Sequence, residues 1–130
     1  MQHLQQHHVL HRDIKPAKIL VFPQENGTML YKLTDFGISK ETSKTDELVS
    51  TQTGTPLYMS PEVLAGMPYN IKSDIYSLGL ILYQLLAGSY PFEFSSSEEF
   101  RRAQMKQEPP SIYSPHEAEL KALCFRMLQK

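Results

Sequence analysis

Three short motifs in a fixed order most constrain what this chain can fold into. The first is the run HRDIKPAKIL from His11 to Leu20, the second is the DFG tripeptide at 35–37, and the third is the SPE tripeptide at 60–62. The first two motifs each contribute an aspartate, Asp13 and Asp35. Two carboxylates on short polar segments can orient a hydroxyl group and hold a divalent cation if the fold brings them together.

The segment between these aspartates predicts a β-hairpin. Residues 19–22 and 29–33 are strand-like apolar runs, and they are joined through Glu25, Asn26 and Gly27. Asn-Gly is the strongest short hairpin signal because both residues tolerate a positive φ. We expect the hairpin to place Asp13 and Asp35 at the same end of a small sheet.

In residue type, order and spacing, the motifs resemble the C-terminal lobe of the eukaryotic-type serine/threonine protein kinases, over essentially the whole chain. The resemblance implies an α+β, mainly α-helical fold, with a small β-hairpin at the catalytic loop and without an N-terminal lobe. Residues 1–130 then form a partial kinase domain. Its parts are the catalytic loop 9–22, the metal-binding motif 34–37, the activation segment 35–62 and the helical subdomain 63–130.

The resemblance assigns the chemistry to a few residues. Asp13 matches the aspartate that aligns the substrate hydroxyl, Lys15 matches a lysine that neutralises the transferred phosphate, and Thr55 matches a threonine that bridges the two. Asp35 matches the Mg²⁺ ligand, and Leu20 matches the apolar floor under the adenine of ATP. The implied parent activity is ATP-dependent phosphoryl transfer to serine or threonine hydroxyls of protein substrates.

Lys18 departs from the family pattern, because an asparagine that holds the second Mg²⁺ is usual at this position. At about 4 Å and an effective dielectric constant near 20, a lysine ammonium repels a divalent ion by roughly 8 kcal/mol, an upper figure because the side chain can swing away. Two outcomes stay open. Either the site works with one metal ion and the ammonium in place of the other, or it does not work.

The resemblance also implies regulatory and supporting residues. Thr51 stands at the usual regulatory phosphosite, where an upstream activating kinase would act, and Arg12 and Lys40 stand at basic positions that pair with its phosphate. The implied internal support consists of His11, Phe36, Glu62 and Asp74. Asp74 is expected to fix the catalytic loop through backbone hydrogen bonds. Glu62 is expected to be unpaired, because the arginine that usually binds it would come later than residue 130.

Three helices are predicted after the activation segment. The first runs from Ser73 to Gly88 and is apolar nearly all round, which predicts burial on most sides. The second is opened by a capping box of Ser96 and Glu99 and runs to about Lys106. The third is capped by residues 114–117, and its predicted apolar face consists of Leu120, Leu123, Cys124, Met127 and Leu128.

Composition limits the partners and the location. With 13 basic and 14 acidic residues, the net charge of −1 gives no electrostatic case for nucleic acid or an anionic membrane. The N-terminus lacks the pattern of a secretory signal, so we expect a soluble, cytoplasmic protein, with the nucleus not excluded. Cys124 is the only cysteine, and its apolar helical context predicts a buried, unreactive thiol.

Two rival interpretations remain at this stage. The chain could be a pseudokinase or peptide-docking module that uses residues 55–62 and the helix from Ser96 as a binding surface, or it could be a nonfunctional fragment. Because a nucleotide-covering lobe is expected to be absent, we expect the isolated chain to be inactive.

Overall fold

The computed structural model describes residues 10–35, 56–113 and 118–130. In these ranges a two-stranded antiparallel sheet precedes the helices. The elements are β1 (Ile19–Pro23), β2 (Met29–Leu33), α1 (Pro61–Leu64), α2 (Ile71–Ala87), α3 (Ser97–Lys106) and α4 (Ala118–Met127). A mainly helical fold with a small sheet was predicted, and this coarse prediction is confirmed.

The β-hairpin forms where it was predicted, and it pairs Ile19 with Leu33. Its turn differs from the prediction, because Gly27 has a positive φ of 78° and Asn26 does not. Asn26 contributes its side chain instead, whose oxygen accepts a 3.0 Å hydrogen bond from the Thr28 amide. In this turn Gly27 adopts the left-handed backbone conformation, and Asn26 contributes a side-chain hydrogen bond to the backbone.

Helix α2 begins two residues before the predicted start. The side chain of Asn70 accepts a 2.8 Å hydrogen bond from the Lys72 amide, and the Ser73 hydroxyl accepts one of 3.3 Å from the Asn70 amide. These reciprocal bonds make Asn70 the N-cap, so Ser73 lies inside the first turn. The predicted end is confirmed, because Gly88 follows the helix with a left-handed φ of 75°.

Helix α3 has the predicted start, with one change in its cap. The Ser96 hydroxyl accepts a 3.2 Å hydrogen bond from the Glu99 amide. The Glu99 carboxylate, however, accepts hydrogen bonds from the amide and hydroxyl of Ser95, at 2.8 and 2.5 Å. The reciprocal half of the predicted capping box is thus displaced by one residue. The cap predicted at 114–117 lies outside the described residues.

The main core lies between α2 and α4. It is formed by Tyr76, Leu80, Tyr83, Leu86, Ile112, Cys124 and Leu128. Gly79 permits the close approach of the two helices, because a Cβ atom there would lie 3.0 Å from side-chain atoms of Met127 and Leu128. Cys124 is fully buried as predicted, and burial raises the pKa of its thiol to about 11.

The predicted burial of α2 and α4 is only partly right. Leu85 on α2 is 74% exposed, and Leu120 and Leu123 on α4 are 38% and 41% exposed. Each helix therefore buries one side in the shared core and leaves apolar side chains on another. Within the described ranges, none of the helices is long and apolar enough to cross a bilayer.

An aromatic cluster anchors the segment before α3 to that helix. Tyr90, Phe92, Phe94 and Phe100 meet edge to face, with ring centroids 5.1 to 6.1 Å apart. Edge-to-face pairs in this distance range stabilise packing beyond the area that they bury. Through the contact of Phe94 with Phe100, the cluster packs the segment 90–94 against α3.

Candidate active site

The loop that carries Asp13 is held by a buried carboxylate on α2. Asp74 is fully buried, and its two oxygens accept hydrogen bonds from the amides of His11 (2.8 Å) and Arg12 (3.0 Å). The hydroxyl of Tyr69 donates a third, at 2.6 Å. Three donors offset the desolvation of one carboxylate. The same bonds hold Arg12 at a φ of 67°, a left-handed conformation that is strained for a residue other than glycine.

His11 connects this loop to the residue before Asp35. Its ring Nε2 lies 2.8 Å from the carbonyl oxygen of Thr34, and its Nδ1 lies 3.4 Å from the amide nitrogen of Asp13. A carbonyl can only accept, so Nε2 carries the hydrogen of the contact with Thr34. The buried ring therefore ties the backbone of Asp13 to the end of β2.

Each of the two motif aspartates has its own lysine. The Lys15 ammonium lies 2.9 Å from the Asp13 carboxylate, and the Lys18 ammonium lies 2.5 Å from the Asp35 carboxylate. The hairpin produces the second pair, because the Thr34 amide donates a 2.9 Å hydrogen bond to the Lys18 carbonyl. The chain then turns at Asp35, whose φ is 55°. The site thus contains two lysine–aspartate pairs, one before β1 and one that joins Lys18 to the residue after Thr34.

The electrostatics of the second pair follow from this contact. The hydrogen bond from Lys18, supported by its positive charge, lowers the pKa of the Asp35 carboxyl. The same hydrogen bond raises the pKa of Lys18, and the charges of Asp35 and Asp13 add to the effect. Lys18 therefore lies within the field of both aspartates and stays protonated.

The two side chains of the second pair differ in what they can offer a divalent cation. Asp35 is 68% exposed at its side chain and offers carboxylate oxygens, which Mg²⁺ prefers. Lys18 has only donors and cannot bind a metal ion. The ranges that the structure describes contain no group of three or more His, Cys, Asp and Glu side chains able to hold a metal.

Side chains from α2, α3 and the loop between them hold the backbone of residues 57–59. The Tyr90 hydroxyl lies 2.6 Å from the Leu57 carbonyl, and the Gln104 amide donates a 2.7 Å hydrogen bond to the Met59 carbonyl. The Ser77 hydroxyl donates a 2.6 Å bond to the Tyr58 carbonyl. We define Ser77, Tyr90 and Gln104 as the clamp.

The clamp residues were not predicted from the sequence. For Gln104 a signal was present, because it follows Phe100 and Ala103 at the spacing of one helix face, and all three are buried. A glutamine on an apolar face needs a partner for its amide. No comparable pattern marks Tyr69, whose contact with Asp74 depends on the fold.

Residues 1–130 match the protein kinase domain family along their whole length. The chain belongs to this family. It is 43% identical over 107 residues to the serine/threonine-protein kinase pkn3 of Myxococcus xanthus, which covers 78% of the chain and 20% of that protein. It is 43% identical over 99 residues to human serine/threonine-protein kinase Nek5, which covers 76% of the chain and 14% of that protein.

A third relative matches over the full length of the chain. The probable serine/threonine-protein kinase nek1 of Dictyostelium discoideum is 34% identical over 146 aligned positions, which cover 100% of the chain and 30% of that protein. The chain therefore spans less than a third of the length of these three relatives.

One expectation for the kinase support residues is wrong. Glu62 was predicted to be unpaired, but its carboxylate accepts a 2.6 Å hydrogen bond from the Ser73 hydroxyl. The early start of α2 places Ser73 in its first turn, where the hydroxyl can reach α1. The neighbouring Ser60 is fully buried, and its hydroxyl has no hydrogen-bond partner among the described residues. Such a group costs about 1–3 kcal/mol of stability.

The remaining predicted kinase residues divide into two groups. Leu20 lies on β1 with 45% of its surface exposed, and Arg12 is exposed beside Asp13. The other four, Phe36, Lys40, Thr51 and Thr55, lie outside the described residues.

Proposed function

We propose that this chain carries the phosphoryl-transfer site of a serine/threonine protein kinase. The observation that carries the proposal is the pairing of Asp13 and Lys15 at 2.9 Å on a loop whose backbone is fixed by Asp74. A pre-positioned carboxylate beside a pre-positioned cation is what in-line transfer of a phosphoryl group to a hydroxyl requires. The kinase names of the relatives support the same activity.

Asp13 and Lys15 act on the two reactants. The Asp13 carboxylate, 53% exposed at its side chain, accepts the hydrogen of a substrate serine or threonine hydroxyl and points its oxygen at the terminal phosphorus of ATP. The Lys15 ammonium neutralises charge that develops on the phosphate oxygens. Because the hydrogen bonds to Asp74 exist before substrate arrives, little reorganisation is needed during transfer.

Asp35 and Leu20 serve the nucleotide. Asp35 would hold Mg²⁺, which when bound neutralises phosphate charge. Leu20 contributes apolar surface under the adenine ring, in line with its exposure on β1. The carboxylate of Asp35 can bind Mg²⁺ once the Lys18 ammonium shares or releases it.

The clamp supports docking of a protein substrate. It fixes three successive carbonyls, from Leu57 to Met59, and Leu57 is two residues after Thr55 in the sequence. A fixed backbone at this place can present a constant surface to the substrate residue after the acceptor hydroxyl. We further propose that Thr55 bridges Asp13 and Lys15. Phosphorylation of Thr51 by an upstream kinase would order the activation segment, because Arg12 and Lys40 would bind the phosphate.

A second candidate function has one observation in its favour. The direct contact between Lys18 and Asp35 neutralises the metal-binding carboxylate, so the domain could bind peptides along residues 56–60 without catalysis. This is the pseudokinase interpretation, and it differs from the first in having no phosphate transfer.

Transfer from labelled ATP distinguishes the two functions. The protein at its natural length is incubated with γ-labelled ATP, Mg²⁺ and a basic protein substrate, followed by phosphoamino acid analysis. We expect label on serine and threonine, its loss in Asp13→Asn, and no loss in Glu25→Gln, which removes an exposed carboxylate from the hairpin turn. Absence of label, or equal label in Asp13→Asn, would overturn the proposed catalysis.

A further inference from the structure

Lys18 and Asp35 are tied together through both backbone and side chains. Lys18 ends the 3₁₀ turn Pro16–Lys18, directly before β1. Its carbonyl accepts the 2.9 Å hydrogen bond from the Thr34 amide, and its ammonium lies 2.5 Å from the Asp35 carboxylate. The Lys18 side chain is only 23% exposed. The backbone hydrogen bond to Thr34 keeps the two residues adjacent, so that the ammonium can contact the carboxylate.

A divalent ion that binds Asp35 must therefore share or displace an ammonium. The ammonium has no acceptor and cannot become a ligand. At about 4 Å, a single positive charge weakens the binding of a divalent ion by about thirtyfold even at the dielectric constant of water. Salt and movement of the lysine reduce this figure, so a net weakening of about five- to tenfold is expected.

The charge balance of the site shows what the ammonium can contribute. Asp13, Lys15, Lys18 and Asp35 carry two negative and two positive charges, so their sum is zero. With a neutral residue at position 18 the sum would be −1, and a polyphosphate would need an additional cation to offset it. Lys18 provides this cation from within the chain.

We propose that Lys18 is the resident cation of the phosphate site, which holds Asp35, disfavours a second divalent metal and neutralises the polyphosphate in its place. The ligand is a nucleoside triphosphate with one divalent ion. This inference rests on the proposed function in one respect, the assignment of Asp35 as a metal ligand. Lys18 then acts as a further binding residue for the nucleotide phosphates.

Paramagnetic broadening by Mn²⁺ tests the inference without measuring activity. The amide signals of Leu33 and Thr34 in the 130-residue chain report on ion binding at Asp35 in wild type, Lys18→Asn and Lys32→Asn. Lys32 is an exposed lysine on β2, so its replacement controls for net charge. We expect Lys18→Asn to lower the Mn²⁺ dissociation constant about five- to tenfold, and Lys32→Asn to change it less than about twofold.

The outcomes separate this inference from the proposed function. Loss of the broadening in Asp35→Asn would show that the Mn²⁺ ion binds at Asp35. If Lys18→Asn then binds Mn²⁺ no more tightly than wild type, the metal assignment stands and the inference is wrong. If neither wild type nor Lys18→Asn shows broadening at these amides, both the metal assignment and the inference are wrong.

Two further variants keep the inference testable if Lys18→Asn does not fold. Lys18→Arg keeps the positive charge and should retain the wild-type Mn²⁺ affinity, whereas Lys18→Gln should reproduce the gain of Lys18→Asn. A gain in Lys18→Arg equal to that in Lys18→Gln would overturn the inference, because the positive charge would then have no role.

Discussion

The carboxylate of Asp74 accepts a 2.8 Å hydrogen bond from the amide of His11, a residue 63 positions earlier in the chain. Together with the bond from the Arg12 amide, this contact fixes the loop of Asp13 to the longest helix of the described ranges. A long-range anchor of this kind lets the core between α2 and α4 determine where the reacting groups lie.

Replacement of Asp74 should cost much more stability than replacement of its hydroxyl partner. Asp74→Ala removes the acceptor of the buried His11 amide, of the partly buried Arg12 amide and of the Tyr69 hydroxyl, so we expect a loss of about 3 kcal/mol or more. Tyr69→Phe removes one hydrogen bond and should cost about 1 kcal/mol. Urea denaturation compares the two variants, and hydrogen exchange should show lost protection at His11 and Arg12 in Asp74→Ala. Equal losses in the two variants would contradict the anchoring role.

The ion pair of Lys18 predicts an acid dependence at Asp35. Its folded pKa lies below the ordinary value of 3.8 because of the hydrogen bond from Lys18. The pair thus contributes to stability above the unfolded pKa, and the contribution is lost as pH falls through the lower folded pKa. In Lys18→Met, the carboxyl pKa measured by NMR should rise toward 3.8, while Lys32→Met should leave it unchanged. An unaltered pKa in Lys18→Met would show that the pair does not form in solution.

Because of its contacts in the clamp, replacement of Gln104 by an apolar residue of similar volume should lower the stability of the fold. Gln104→Leu keeps the volume but leaves the partly buried Met59 carbonyl without its side-chain donor. It also removes one of the two oxygen contacts of the Tyr90 hydroxyl, which keeps the Leu57 carbonyl, so we expect a loss of about 1–3 kcal/mol. Gln107→Leu, at the exposed C-cap of α3, should change the free energy of unfolding by less than about 0.5 kcal/mol. If both variants unfold at the same denaturant concentration, the clamp does not hold residues 57–59.

Gly79 predicts that a better helix former will destabilise the protein. Alanine exceeds glycine in helix propensity by about 1 kcal/mol. The added methyl group would, however, lie 3.0 Å from atoms of Met127 and Leu128, and overpacking of this kind costs about 1–3 kcal/mol. We expect Gly79→Ala to lower the melting temperature, and a second change, Leu128→Ala, to cost less in the Gly79→Ala background than in wild type. A higher melting temperature for Gly79→Ala would contradict the close packing of α2 and α4.

Much of the local structure could be predicted because its causes are local. The hairpin follows from apolar runs around Asn26 and Gly27, and the end of α2 follows from Gly88, since turn and cap preferences act over a few residues. The start of α2 was missed because the cap uses Asn70 rather than Ser73, and both residues are suitable caps. Sequence alone gives no reason to prefer one over the other.

The partners of charged side chains were harder to predict. The contact of Glu62 with Ser73 depends on how α1 meets α2, and that of Lys18 with Asp35 depends on the register of the hairpin. From the sequence, a metal ion was expected as the neighbour of the Lys18 ammonium. In the structure its neighbour is the Asp35 carboxylate, which attracts the ammonium.

The turnover number of Asp13→Asn tests the central claim most directly. With the protein at its natural length, initial rates are measured against ATP and against a protein substrate for wild type, Asp13→Asn and Glu25→Gln. In the proposed role Asp13 acts on the hydroxyl and not on the nucleotide, so Asp13→Asn should lower kcat by about a hundredfold or more and leave the KM for ATP nearly unchanged. A kcat for Asp13→Asn within about threefold of the Glu25→Gln value would contradict the assignment of Asp13 as the catalytic carboxylate.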